Sequence, residues 1–331
     1  MSVFKRCSAV MLALAALQGT AHAVPFTDVL EVPAMPSALA SSSALRDVTL
    51  AGPRLVAVGP RGHILYSDDH GAHWQQAQVP VSADLNAVSF ATPELGWAVG
   101  HDGVVLHSRD GGVHWHKQLD GRALAEQLPA AATDNALLDV WFSDARNGYA
   151  VGVFNLLLRT TDGGEHWQPW VDHSDNPQGL HLTSLAAMGD DLYITGEQGL
   201  LLKWSGARFS RVDTPYAGTL FGAVGKPGVL LVYGLRGHAY RSTDGGQQWQ
   251  PVNTGINTSL TAAGIDRDGQ LWLASQAGDL LLSRDDGASF SQVPQSARGP
   301  VTALVSDTGN GLVLVGERGV RNQAGNSTQH P

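Results

Sequence analysis

The chain has 331 residues, of which 43% are hydrophobic, and it carries 30 acidic against 21 basic side chains for a formal net charge of −9. This acidic balance argues against nucleic acid as a partner, because contact with phosphates requires a basic surface. The single cysteine, Cys7, excludes a disulfide framework, so a large packed core must hold the fold together.

The N-terminus has the pattern of a secretory signal over residues 1–23. Lys5 and Arg6 precede an apolar run, and Ala21-His22-Ala23 is a small-x-small cleavage site. The run is shorter than the roughly 20 residues that span a bilayer. We therefore expect a periplasmic or otherwise exported protein that is soluble after cleavage and not inserted in the membrane. Because Cys7 lies inside the leader, we expect no lipid anchor.

A segment of the form Ser/Thr-x-Asp-x-Gly-x-x-Trp, called the Asp box here, recurs along the chain. From Trp74 to Trp115 two copies are 41 residues apart, which is the length of one four-stranded propeller blade. The Asp and aromatic positions of the five copies are Asp69 and Trp74, Asp110 and Trp115, Asp162 and Trp167, Asp244 and Trp249, and Asp285 and Phe290.

An apolar strand with period-two alternation opens each repeat, and a second strand ends in a Val-Gly turn. The opening strands begin near Leu45, Leu85, Leu137, Leu182, Leu220, Leu260 and Val301. The pattern predicts an all-β fold, a seven-bladed β-propeller of four-stranded antiparallel blades over residues 24–323, with a polar tail at 324–331.

The seventh repeat ends without an Asp box, so its blade is one strand short. Residues 26–33 resemble the strand that leaves a box, and we expect this N-terminal strand to complete the seventh blade and close the ring. Between the second and third repeats, Arg122 to Ala132 has a helix-forming composition. A helical turn and a mobile loop are both compatible with that segment.

The Asp boxes have a structural interpretation. The aspartate can accept hydrogen bonds from backbone N–H groups of its own turn, glycine permits a positive φ, and the aromatic side chain anchors the hairpin on a neighbouring sheet. A catalytic carboxylate is expected once and near the centre, whereas these repeat at the periphery. We expect the box aspartates to be structural rather than catalytic or calcium-binding.

Two adjoining segments, Gly96-Trp97-Ala98-Val99-Gly100-His101-Asp102-Gly103 and Ser108-Arg109-Asp110-Gly111-Gly112, resemble the photosystem II assembly and stability factor family. Its members are seven-bladed propellers of the bacterial neuraminidase repeat type. The resemblance implies a non-catalytic assembly factor or scaffold for a membrane protein complex, and we expect a monomer. The implied partner is a membrane protein or its soluble loops, either a photosystem subunit or, in bacteria without photosystems, an inner-membrane exporter.

A sialidase-like glycoside hydrolase or a carbohydrate-binding propeller is the alternative, since sialidases share the fold and the boxes. Their site needs a tyrosine nucleophile and an arginine clamp that begins in an Arg-Ile-Pro motif. That motif does not occur in the chain, and the tyrosines fall mostly within repeat strands. We therefore expect no enzymatic activity, and the fold by itself does not confer one.

The turns after the second strands supply the candidate binding residues. Because strands alternate in direction, these turns share one face of the disc, and arginine suits the recognition of carboxylates or phosphates there. The candidates for a partner-binding face are Arg61, His63, His101, Asp102, Arg236, His238 and Arg318. Salt bridges to neighbouring blades are the other interpretation of the arginines.

We expect no metal and no cofactor. His114 and His116 lack a third ligand for zinc, and Asp266-Arg267-Asp268-Gly269 lacks the downstream glutamate of a calcium loop.

Overall fold

A computed structural model describes residues 27–129, 135–295, 297–307, 309 and 311–324 of the chain. The predicted signal sequence, Phe26 of the predicted closing strand, residues 130–132 of the predicted helical turn and the tail beyond residue 324 lie outside these ranges.

Each repeat forms one antiparallel sheet in which consecutive strands are neighbours, and the described chain contains seven such sheets in sequence. Blade one consists of β1 (Asp47–Ala51), β2 (Arg54–Val58), β3 (Ile64–Ser67) and β4 (Gln75–Gln76). Blade two consists of β5 (Leu85–Phe90), β6 (Gly96–Gly100), β7 (Val105–Ser108) and β8 (His116–Leu119). Blade three consists of β9 (Leu137–Phe142), β10 (Gly148–Gly152), β11 (Leu157–Thr160) and β12 (Gln168–Pro169).

The remaining blades follow the same order. Blade four consists of β13 (Leu182–Met188), β14 (Asp191–Gly196), β15 (Leu201–Trp204) and β16 (Phe209–Arg211). Blade five consists of β17 (Leu220–Lys226), β18 (Val229–Gly234), β19 (Ala239–Ser242) and β20 (Gln250–Val252). Blade six consists of β21 (Leu260–Ile265), β22 (Leu271–Ser275), β23 (Leu280–Ser283) and β24 (Ser291–Gln292), and blade seven of β25 (Ala303–Ser306), β26 (Gly311–Gly316) and β27 (Gly319–Ala324).

The predicted seven-bladed propeller is confirmed, and the predicted repeat starts are close to the strand starts. Five opening strands begin at the predicted leucine, whereas β1 and β25 begin two residues later, at Asp47 and Ala303. The second strand of a blade is buried along most of its length because it lies in the middle of the sheet and is covered on both faces. All five residues of β6, for example, are buried.

The hydrophobic core lies between neighbouring blades, and the box aromatics are part of it. Trp115 of blade two packs with Val56 and Val58 of blade one, and Trp167 of blade three packs with Val99 of blade two. The aromatic side chain thus joins its own blade to the preceding one, which explains why it recurs with the blade period.

The N-terminal segment does not form the closing strand that the sequence predicts. Residues 29–31 form a turn, in which Glu31 N–H donates to Asp28 O at 2.9 Å. Leu30 is buried in the cluster that contains Val81 and Trp115, at the seam of blades one and two. The apolar residues that suggested a strand therefore cover this seam. Backbone hydrogen bonds also hold the segment there, such as Ser82 N–H to Val29 O at 2.8 Å.

Blade seven has three strands within the described ranges, and it meets blade one by face packing. Leu45, Val48 and Leu65 of the first repeat share a buried cluster with Val313 and Val315 of the last. A backbone bond from Leu45 N–H to Gly316 O, 3.1 Å, crosses the same junction. Apolar packing, this bond and a side-chain bond from Thr302 Oγ1 to Leu45 O at 2.9 Å help to join the first blade to the last.

The connection between blades two and three contains α1 (Gly121–Gln127). Asp120 caps it, since its carboxylate accepts the backbone N–H groups of Arg122 and Ala123. The helical alternative for this segment is thus confirmed over the residues that the structure describes. None of the helices in these ranges has the length and apolarity needed to cross a membrane.

Candidate functional site

The face of the disc that carries the turns between second and third strands is called the turn face here. In five blades the middle residue of this turn has a positive φ, at Arg61 (60°), Asp102 (58°), Phe154 (51°), Gln198 (52°) and Arg236 (57°). This left-handed conformation turns the chain sharply between the two strands, so the middle side chain lies on the turn face.

The three candidate arginines lie on this face in blades one, five and seven. Arg61, Arg236 and Arg318 are exposed. The backbone of Arg61 is held by its N–H, which donates to Asp84 Oδ1 at 2.8 Å. Within the described ranges, none of the three guanidinium groups forms a hydrogen bond or an ion pair with a carboxylate. This geometry favours the binding interpretation of the arginines over salt bridges between blades.

In blade five the structure brings two candidates together with aromatic rings. Arg236 and His238 line a cavity of about 380 Å³ that Tyr240 also lines. The His238 ring lies 4.9 Å from the Tyr216 ring and is nearly parallel to that of Tyr240, with centroids 6.3 Å apart. The cavity thus combines one free guanidinium with planar apolar surface, a combination suited to a carboxylate next to an apolar group.

His63 does not project to the turn face as predicted. Only 4% of its surface is exposed, because the segment through Ala34 and Met35 lies over the turn of blade one. Burial, with a smaller effect from Arg61, lowers the pKa of the His63 imidazole. His101 and Asp102 are exposed at the corresponding turn of blade two, as expected.

On the opposite face, the box aspartates cap their own turns. Asp162 accepts the hydroxyl of Thr160 at 2.9 Å and the backbone N–H of His166 at 3.0 Å. The His166 ring also bonds to Asp162 Oδ2 at 2.7 Å. The two bonds from His166 have the largest effect in lowering the pKa of Asp162 to about 2. The corresponding carboxylates, which accept the backbone N–H four residues later in the same way, are Asp69, Asp110, Asp244 and Asp285.

The box carboxylates are therefore occupied by the chain itself. Within the described ranges, no group of three or more His, Cys, Asp or Glu side chains is arranged to hold a metal ion. His114, considered above as a zinc ligand, instead pairs with Asp110 at 2.6 Å.

Two further aspartates, which the sequence reasoning did not single out, lie in the central channel. Asp47 and Asp139 line a cavity of about 230 Å³ to which all seven blades contribute, together with Tyr233. Burial, with the charge of Asp139, raises the pKa of Asp47 to about 7, and burial raises that of Asp139 to about 6. Burial and both carboxylates also raise the pKa of Tyr233.

Each channel carboxylate joins two blades. Asp47 Oδ1 accepts Val48 N–H at 2.8 Å within blade one, and Oδ2 accepts Val88 N–H of blade two at 2.9 Å. Asp139 Oδ2 likewise accepts Leu185 N–H of blade four at 2.7 Å. An alignment of the repeats could have revealed these aspartates, because the other blades have small residues at the same position of the first strand. Those residues are Ala87, Ser184, Gly222, Ala262 and Ala303.

The channel lacks the arginine clamp of a sialidase-like site. Arg46 is the arginine among the residues that line it, and its guanidinium lies 3.5 Å from Glu317 in an ion pair. The carboxylates beside Tyr233 accept backbone N–H groups from neighbouring blades. These contacts give the channel a role in holding blades together.

The sequence and the fold were compared with those of known proteins, and a family matches. The family described as "Photosynthesis system II assembly factor YCF48" matches residues 37–132 and 125–256. The photosystem II assembly lipoprotein Ycf48 of Synechococcus sp. (strain CC9902) is 28% identical over 164 residues, or 48% of this chain and 49% of that protein. The chloroplastic photosystem II stability/assembly factor HCF136 of Arabidopsis thaliana is 28% identical over 181 residues, or 46% of this chain and 44% of that protein.

The matched region spans about half the length of these curated relatives. Among solved structures, one titled "YCF48 bound to D1 peptide" superposes with a TM-score of 0.70 over 87% of this chain and 95% of the other, at 17% identity. At that identity the likeness shows the fold alone.

Proposed function

The chain belongs to the family described as photosynthesis system II assembly factor YCF48, and from this membership we propose that it is a non-catalytic assembly factor that binds a segment of a membrane protein through its turn face. The segment is acidic and is captured by Arg61, Arg236 and Arg318. His101, Asp102 and His238 border the arginines on the same face.

The observation that carries the proposal is the state of the three arginines. Each is exposed, and none is paired with a carboxylate in the part of the chain that the structure describes. A guanidinium group presents paired N–H donors that match a carboxylate, so unpaired arginines on a rigid face are prepared to bind one. The protein is acidic as a whole, with a formal charge of −9, so three unpaired arginines on one face direct acidic partners to that face.

The related structure with a D1 peptide supports a peptide segment as the ligand, because it places such a segment on a propeller of the same fold. The predicted signal sequence supports an exported protein acting on segments outside the cytoplasm. We propose that the partner is a photosystem subunit where the host is photosynthetic and an inner-membrane exporter where it is not, and that the protein binds it as a monomer.

Affinity capture from cross-linked cell envelopes tests the proposal. The bait is the mature protein, compared with the double variant Arg61→Glu/Arg236→Glu, and recovered proteins are identified by mass spectrometry. We expect a membrane protein that is enriched by the wild type and lost with the variant. Capture should also weaken as salt is raised, because the contacts are between exposed charges.

The matched control is Arg109→Glu/Arg284→Glu, which makes the same change of charge on exposed arginines next to box aspartates, on the face opposite the turn face. This control should capture the partner as the wild type does. Equal capture by the wild type and the turn-face variant would exclude the arginine face as the binding site. Equal loss from both double variants would show that only the net charge matters.

A further inference from the structure

The turn of blade three departs from the corresponding turns. In blades one, two, four and five a glycine follows the middle residue, at Gly62, Gly103, Gly199 and Gly237, and has a positive φ. In blade three both positions have side chains, and Phe154 (φ 51°) and Asn155 (φ 61°) are both left-handed. A bulky aromatic residue is an outlier in this conformation, and such strain persists only where the surroundings impose it.

The surroundings of Asn155 impose it. The Asn155 side-chain oxygen accepts Ser174 Oγ at 2.8 Å and Asn176 Nδ2 at 3.0 Å, and its backbone N–H donates to Leu180 O at 3.1 Å. These bonds fix the turn. Phe154, in contrast, remains 59% exposed as a residue.

The other exposed large apolar side chains of the described residues lie near the same face. They are Met35, 74% exposed, and Leu39, 68% exposed. Their segment lies over the turns of blades one and seven, since a Cβ on Gly62 would meet Ala34 and a Cβ on Gly319 would meet Ser41. The turn face therefore combines unpaired arginines with exposed apolar groups, a composition typical of protein-binding surfaces.

The contacts of Phe154 within the protein are limited. Its ring meets the His181 ring edge to face at 4.5 Å, and its backbone N–H donates to His181 Nδ1 at 2.9 Å. The backbone bond does not depend on the side chain, so glycine or asparagine at this position would keep it.

We propose that Phe154 is an apolar anchor of the partner-binding face, and that the bound segment carries an aliphatic side chain next to its acidic residues. Charge complementarity with Arg61 and Arg236, in the blades two positions away on either side, selects the acidic part. Phe154 selects the apolar part. This inference rests on the proposed function of the turn face.

The test uses two labelled peptides of equal length and charge, one alternating glutamate and leucine, the other glutamate and serine. Binding to the full mature protein is followed by fluorescence anisotropy, and melting temperatures are measured in parallel. We expect the wild type to bind the leucine peptide about tenfold more tightly than the serine peptide. Phe154→Gly should lose most of the preference for the leucine peptide, with no loss of melting temperature, since glycine relieves the left-handed strain.

Gln198→Gly is the matched control, because it changes the same turn position in blade four, where φ is 52°. It should keep the preference for leucine. Phe154→Asn provides a second variant without the ring, since asparagine tolerates the left-handed conformation. Phe154→Trp replaces one aromatic ring by another and should keep the preference for leucine.

The outcomes separate this inference from the proposed function. If the wild type shows no preference, or Phe154→Gly and Phe154→Asn keep it, the anchor is overturned while the arginine face stands. If Arg61→Glu/Arg236→Glu binds both peptides as the wild type does, the proposed function fails, and the anchor fails with it. A marked loss of melting temperature in both ring-free variants would assign Phe154 a structural role instead.

Discussion

Replacement of Asp47 by asparagine should change how the stability of the propeller depends on pH. Burial and the charge of Asp139 raise the pKa of Asp47 from 3.8 to about 7 in the folded protein. The folded state therefore holds this proton more tightly than the unfolded chain does. The stability that the proton contributes is fully present below about pH 4 and is lost as the pH rises through about 7.

The size of the effect follows from linkage. Each unit of pKa difference corresponds to about 1.4 kcal/mol, so the whole shift would amount to about 4 kcal/mol, and about 3 kcal/mol of it falls between pH 5 and pH 8. Asp47 is only half-buried at the channel surface, and solvent in the channel screens its charge. We expect about 1 to 2 kcal/mol to be lost by the wild type relative to Asp47→Asn over this interval.

Urea unfolding of both proteins at pH 5 and at pH 8 measures the change. Asparagine keeps one acceptor for the backbone groups that Asp47 binds but carries no titratable proton. Subtraction of the two pH profiles cancels the groups that do not interact with Asp47, including His63 and His107, whose lowered pKa values act in the opposite direction. Asp213→Asn, at a fully exposed side chain, is the control and should follow the wild type. Parallel pH profiles for the wild type and Asp47→Asn would refute the reasoning.

Two further predictions test the packing. Trp97→Ala should lower the free energy of unfolding by about 3 to 5 kcal/mol in urea titrations, because Trp97 is fully buried, stacks on Phe142 at 3.5 Å and joins blades two and three. A loss below about 1 kcal/mol would contradict this assignment. Gly62→Ala should cost more than Gly179→Ala, since both have a positive φ but only Gly62 has a neighbour in the way, with Val81 O 2.1 Å from the added Cβ. Equal melting temperatures for the two glycine variants would show that the turn moves freely.

The number and order of the blades could be predicted from the sequence because their signals are local. The Asp box encodes its own turn through bonds within a few residues, such as Ser67 Oγ to Asp69 Oδ1 at 2.9 Å. The box aromatic and the Val-Gly turn then repeat with the blade period. A pattern that depends on neighbours in the chain is visible without the structure.

Features that depend on distant contacts could not be predicted in this way. The same sequence, Arg-Gly-His, occurs at residues 61–63 and 236–238. His63 is buried while His238 is exposed. The difference arises from residues 34–35, which cover only the first of the two turns. The position of that N-terminal segment is set by its packing on the seam of blades one and two, and its alternating apolar residues fit a strand equally well.

Departures from the repeat fall into two kinds. Asp47 and Asp139 replace small residues in the channel, and each adds a bond to the next blade, so the ring itself accounts for them. Phe154 contacts His181, which precedes β13 of blade four, but its turn adopts a left-handed conformation and the residue stays 59% exposed. Arg61 and Arg236 share that turn position in other blades, and their guanidinium groups are not paired with a carboxylate within the described ranges. For these three exposed side chains we therefore propose a partner outside the ring.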